Sequence, residues 1–156
     1  MRKTRFALFA ASLVVAACST DSSVATGLDI PADARLSAVA AAPVADLVSS
    51  TVTMKVAVTS SLSESVTGGV CASAVQARTT AGTTWSDVTA STYACPALAA
   101  VLTPGSTLTI TAAADPAKLR AVAGSGTTIV LRARSSLNGS SVAYVIQSNE
   151  VTYQLP

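Results

Sequence analysis

The chain has 156 residues, 10 Lys and Arg against 8 Asp and Glu, no His, and a formal net charge of +2. That length suits one domain. The missing His excludes Ser-His-Asp and Cys-His catalysis. Beyond the first five residues no Lys or Arg cluster remains, so the basic face that a nucleic-acid binder uses to displace counterions is absent.

Taken in chain order, Arg2, Lys3 and Arg5 open the sequence, and Phe6 to Thr20 carries no charge. A spanning helix needs roughly 20 apolar residues. The run is shorter and has the flanks of an export signal. Val15-Ala16-Ala17-Cys18 closes it. This segment resembles the lipobox of bacterial lipoproteins, over residues 1–18. The resemblance implies cleavage before Cys18, acylation of its sulfur, and a bilayer as the first partner. Ser19, where Asp would favour inner-membrane retention, implies the outer membrane of a diderm host. An ordinary signal peptide with an incidental Cys is the competing reading. Cleavage removes three basic groups and leaves seven against eight acidic ones.

The expected organisation is a signal peptide over 1–17, a flexible tether over 18–45 and a β-domain over 46–156. Ser19 to Ser23 is small and polar, and Pro31 and Pro43 disfavour helix before each. Ala38–Ala42 is read as spacer.

From Asp46 the period becomes two. Val52, Met54, Val56 and Val58 alternate with Thr51, Thr53, Lys55 and Thr59, as in a half-buried strand. Gly68-Gly69 interrupts a strand running into Cys71. Ala72–Thr79 is the next candidate, and Thr83–Val88 carries Trp85. A loop with Tyr93, Cys95 and Pro96 leads to Leu98–Leu102. Pro104-Gly105 is a turn pair, after which Leu108, Ile110 and Ala112 alternate with Thr. Asp115-Pro116 reads as a helix cap with Pro at the first helical position. Ile129, Leu131 and Ala133 follow. Asn138-Gly139 is a hairpin turn signal, since both residues accept positive φ. Strands at Val142–Ile146 and Val151–Leu155 end the chain.

This pattern predicts an all-β fold, an antiparallel β-sandwich of about seven or eight strands with one short helical crossover. It resembles the immunoglobulin-like domains of bacterial surface and secreted proteins. The carrying features are the Val52–Val58 strand, the Leu102–Ser106 turn before a Thr-rich strand, and a Cys pair. The resemblance is to a fold and implies little about activity.

With Cys18 lipidated, Cys71 and Cys95 form an even pair, and export favours a disulfide. Two buried thiols are the alternative. Two Cys without His do not furnish the usual zinc set, so no metal and no cofactor are expected. Asp87, Asp115 and Glu150 share no motif, leaving only a spatial Asp87–Glu150 pair as an acid/base option. Gly124-Ser125-Gly126 lacks the Lys of a phosphate loop. Asn138-Gly139-Ser140 matches a glycosylation acceptor but doubles as a turn. Arg132 and Arg134 share a strand face, with Lys55 a candidate neighbour, and a solvated face is the plainer reading. Trp85 is expected in the core or as a cross-sheet anchor, where truncation to Ala costs about 3–5 kcal/mol; an exposed recognition aromatic is the competing reading.

The leading function is a lipid-anchored, non-catalytic envelope module contacting an unidentified envelope protein, with no nucleic acid and no metal. The alternative is a secreted protease inhibitor that presents a disulfide-constrained loop. No ligand-binding residue can be named from sequence.

Overall fold

The computed structural model describes residues 31–46 and 50–156. It is an all-β sandwich of two antiparallel sheets with one short helix. Residues 1–30, with the candidate signal peptide and Cys18, lie outside the described residues.

The first sheet centres on β3 (Thr51–Ser60). Its Val52, Met54, Val56 and Val58 are buried while Lys55 and Thr59 are exposed, so the alternation read from sequence holds there; Thr51, expected on the wet face, is buried and Thr53 half-buried. One side of β3 pairs with β8 (Thr107–Ala114), from Val52–Ala114 to Thr59–Thr107. The other side pairs first with β1 (Leu36–Ala40) and then with β2 (Val44–Asp46).

These two strands correct the spacer assigned to 18–45. Leu36, Ala38 and Ala40 are buried, so the edge of the sandwich begins about ten residues before the expected boundary. Ala41, Ala42 and Pro43 oppose only Met54 and Lys55. This is a bulge, and Pro is tolerated there because an edge needs no further donor.

The second sheet is built on β9 (Thr128–Asn138). On one side lie β5 (Ala74–Thr79) and then β4 (Val66–Gly69), which carries β7 (Ala99–Leu102). A two-residue strand, β6 (Ser86–Asp87), extends β5 outward. On the other side lie β10 (Ala143–Gln147) and β11 (Val151–Gln154). A second bulge, Ser148–Glu150, sits between these two. Edge–β3–β8 facing β5–β9–β10/β11 is the A-B-E against C-F-G order of immunoglobulin-like sandwiches.

Polar links stitch the sheets at both lateral edges. Ala72 N donates to Thr111 O and Thr111 N to Val70 O, both at 2.8 Å. Opposite, Ala40 N donates to Asn149 Oδ1 at 2.7 Å and Asn149 N to Ala38 O at 3.2 Å.

The helix, α1 (Pro116–Ala123), crosses between the sheets where the sequence placed it. Asp115 Oδ1 accepts the Ala117 amide at 2.8 Å, and Gly124 ends the helix at φ 59°. That positive φ is why Gly stands at the stop.

The Asn138-Gly139 turn differs from expectation. Asn138 is the last residue of β9 and faces Ala143. The loop is therefore Gly139–Val142, closed by Gly139 N to Val142 O at 2.8 Å. Among the described residues, positive φ falls on Ser50, Gly105 and Gly124, not on Gly139. Gly139 is required for space: a Cβ there would meet Tyr144 Cε2 at 2.7 Å and Glu64 Oε1 at 2.9 Å.

Candidate functional site

Cys71 and Cys95 are joined as a disulfide with Cα atoms 6.2 Å apart. Cys71 follows β4 and bridges to Thr111 of β8, so its backbone is held by the sandwich itself. Cys95 is exposed and lies in the loop between β6 and β7. From Ser91 to Leu98 every residue except the half-buried Tyr93 is exposed. Leu98 and Val101 are 63% and 60% accessible. Beside them runs a shallow groove of about 370 Å³, lined by Thr67, Gly68, Gly69, Pro96, Leu98 and Asn138 among others. Asp87 and Asp115 are the nearest charges in sequence on either side of β7. The result is a covalently fixed, uncharged and partly apolar surface, ending in a strand that pairs only with β4 among the described residues.

A second cluster lies on the outer face of β5 and β9. The register sets Gln76 opposite Arg132 and Arg78 opposite Val130. The Arg132 and Arg78 guanidinium carbons lie 4.0 and 5.1 Å from the Trp85 ring centre. Trp85 is half-buried, which corrects its placement in the core. It covers the sheet from outside. Two cation–π contacts of this kind put the cost of Trp85→Ala at about 1–2 kcal/mol rather than a core-sized loss. A urea titration that finds a larger cost would return Trp85 to the core. Lys55 is on the other sheet, with Nζ on Thr111 Oγ1 at 2.8 Å, so it does not join Arg132 and Arg134.

A third cluster closes the β9–β10 hairpin. Glu64 accepts the Tyr144 hydroxyl at 2.5 Å and the Ser140 amide and hydroxyl at 2.9 and 2.7 Å. These donors hold its carboxyl at about 2, with Tyr144 the main cause. The Arg35 guanidinium, paired with Asp33 at 2.8 Å, lies 5.5 Å from the Tyr144 ring centre and holds Asp33 at about 2 as well. The Glu64 carboxylate in turn pushes the Tyr144 phenol up.

A carboxyl with a depressed folded value stabilises above its ordinary value of 4.5 and loses that contribution as pH falls towards about 2. Melting temperature is therefore expected to drop between pH 5 and pH 2. Glu64→Gln should lower it at pH 7 and flatten the acid decline, leaving the Asp33 part. An undiminished acid decline in that variant would show that Glu64 is not responsible.

Each of the scattered carboxylates has its own partner. Asp87 accepts the Thr89 amide and hydroxyl at 2.8 and 2.6 Å, Asp115 caps α1, and Glu150 pairs with Arg78 at 2.6 Å. Gly124-Ser125-Gly126 serves as the helix stop, with Gly126 N on Ala123 O at 2.9 Å. Ser140, the hydroxyl of the glycosylation-like triplet, donates to Glu64. Among the described residues no three Cys, Asp or Glu side chains gather as a metal site. No described helix is long and apolar enough to cross a membrane.

Sequence reasoning named Cys71, Cys95, Trp85 and Arg132. It missed Glu64, Gln76 and Arg78. Period two puts Gln76 and Arg78 on one strand face, but only the β5–β9 register shows which residues they meet.

No protein-family model matches the chain, and no curated protein matches its sequence. A solved structure is similar: an X-ray structure of Northeast Structural Genomics Consortium target SoR45. It has a TM-score of 0.51 and 8% identity, and the match covers 81% of this chain and 91% of that one. At that identity the likeness speaks for the sandwich fold alone.

Proposed function

We propose that this protein is a lipid-anchored, non-catalytic module of the cell envelope, held in the outer membrane through acylated Cys18. It binds an envelope protein through segment 91–98 and the adjoining edge of β7. The observation that carries the binding half is the exposed, uncharged loop clamped by Cys71–Cys95. A loop fixed before binding loses less entropy on association. Exposed apolar side chains beside a strand that pairs on one side only among the described residues suit recognition by strand addition. The anchoring half rests on Val15-Ala16-Ala17-Cys18. A single acyl chain binds membranes only reversibly, and two or more make attachment lasting.

The test has two arms. Cys18→Ala should move the protein from the membrane fraction to the soluble one; unchanged fractionation removes the anchor. Tagged protein cross-linked in intact cells should recover an envelope partner, and Leu98→Asp with Val101→Asp should lose it. Recovery independent of both substitutions places binding elsewhere.

The same clamped loop favours a second reading, a secreted protease inhibitor. Inhibition of a protease panel that disappears with dithiothreitol would select it over the envelope module.

A further inference from the structure

Arg78 and Arg132 share one indole, yet they are used very differently. Arg78 Nη1 reaches the carbonyls of Thr79, Thr80 and Gly82 at 3.2, 3.3 and 2.9 Å, and its Nη2 reaches Glu150 at 2.6 Å. Its guanidinium braces the turn after β5. Arg132 donates Nε to Gln76 Oε1 at 2.8 Å. Its two terminal nitrogens donate to nothing among the described residues. A guanidinium offers five N–H donors in a planar fork, so Arg132 presents its fork edge without a protein acceptor. It is half-buried, and burial lowers its affinity for its proton, with Arg134 and Arg78 adding to this and Glu150 opposing. Gln76 and Trp85 hold it in one orientation, so little rotamer entropy is left to lose. A half-buried, oriented and under-used guanidinium near two more is an unusual placement for a purely structural group.

We infer that this face of β5 and β9 is a receptor for a small oxyanion, a carboxylate or a phosphate, gripped by the terminal nitrogens of Arg132 beside Trp85. Both anions match the fork of a guanidinium, which binds them through two parallel hydrogen bonds. Arg134, two residues along on the same face, adds positive potential. Glu150 sets the limit on affinity, because an incoming anion meets its field. This inference does not depend on segment 91–98 or on the anchor.

Trp85 is the sole tryptophan, so its emission reports on this face alone. The full chain is titrated with sodium phosphate and, separately, with sodium acetate, to about 50 mM at constant ionic strength set with sodium chloride. A saturable emission change with at least one oxyanion is expected, and the better of the two identifies the source chemistry. Arg132→Gln should weaken that response at least about tenfold, the scale of a lost charge-assisted pair. Glu150→Gln should tighten it about threefold by removing the opposing charge. No saturable response to either oxyanion overturns the inference. So does an Arg132→Gln protein, folded by far-ultraviolet circular dichroism, that responds as the parent does. Should Arg132→Gln fail to fold, Glu150→Gln decides alone: unchanged or weaker binding overturns the site.

Discussion

Replacing both Cys71 and Cys95 by Ser should lower stability by about 3 kcal/mol, most of it through the unfolded chain. The bridge spans a sequence separation of 24. The loop it closes is not only the exposed segment. It contains β5, whose Val75 and Ala77 are fully buried, and Val88 beyond it. Folding without the bridge must therefore bring β5 onto β9 with no prior limit on where residue 95 lies. With urea slopes of about 1–3 kcal/mol per molar, the midpoint should fall by roughly 1–3 M. The sandwich should survive, because neither sulfur is a centre of the core. Segment 91–98 should become more susceptible to proteases than the rest. An unchanged midpoint would mean that the loop is positioned by its own contacts, and the preorganisation behind the proposed binding surface would lose its basis.

Much of this architecture was readable because the inner positions carry the larger apolar side chains. β3 and β8 show it: Val52, Met54, Val56, Val58 and Ile110 point inward, while Lys55, Thr59, Thr107 and Thr109 point out. The Asp115-Pro116 cap and the Gly124 stop were equally local. β1 was missed because its contrast is inverted. Its inner residues are Leu36, Ala38 and Ala40, and its outer ones include Val39, 57% exposed. A segment with Ala inside and Val outside gives almost no alternation in hydropathy, so an edge strand reads as spacer. Only the register with β3 reveals it.

The candidate site divides along the same line. A disulfide follows from counting Cys, and an exposed segment follows from Tyr93-Ala94-Cys95-Pro96 with its poor strand pattern. Trp85 was misplaced because size alone suggests burial, whereas two cross-strand guanidiniums give it an outer-face partner. Glu64 and Tyr144, joined at 2.5 Å, are 80 residues apart. No local pattern encodes that pairing. Gly139 was read for its backbone freedom when its role is the room it leaves for both.

Leu119→Ala should be among the most damaging single truncations, at about 2–5 kcal/mol. Leu119 is fully inaccessible and is the one buried residue of α1. The helix packs on β5 and β9, with Val122 and Ala123 only partly covered. Eight residues do not make a stable helix in water, since so short a segment cannot repay nucleation. Its existence thus depends on the Asp115 cap and on Leu119. The two can be separated. Asp115→Ala removes one side-chain acceptor and should cost about 1 kcal/mol. Leu119→Ala removes the anchor and leaves a cavity between the sheets at the crossover from β8 to β9. If packing holds the helix, Leu119→Ala costs at least twice the cap variant in urea titrations. The double variant then costs less than the sum, because a released helix no longer benefits from its cap. Equal costs, or strict additivity, would show instead that α1 forms independently of the core it covers.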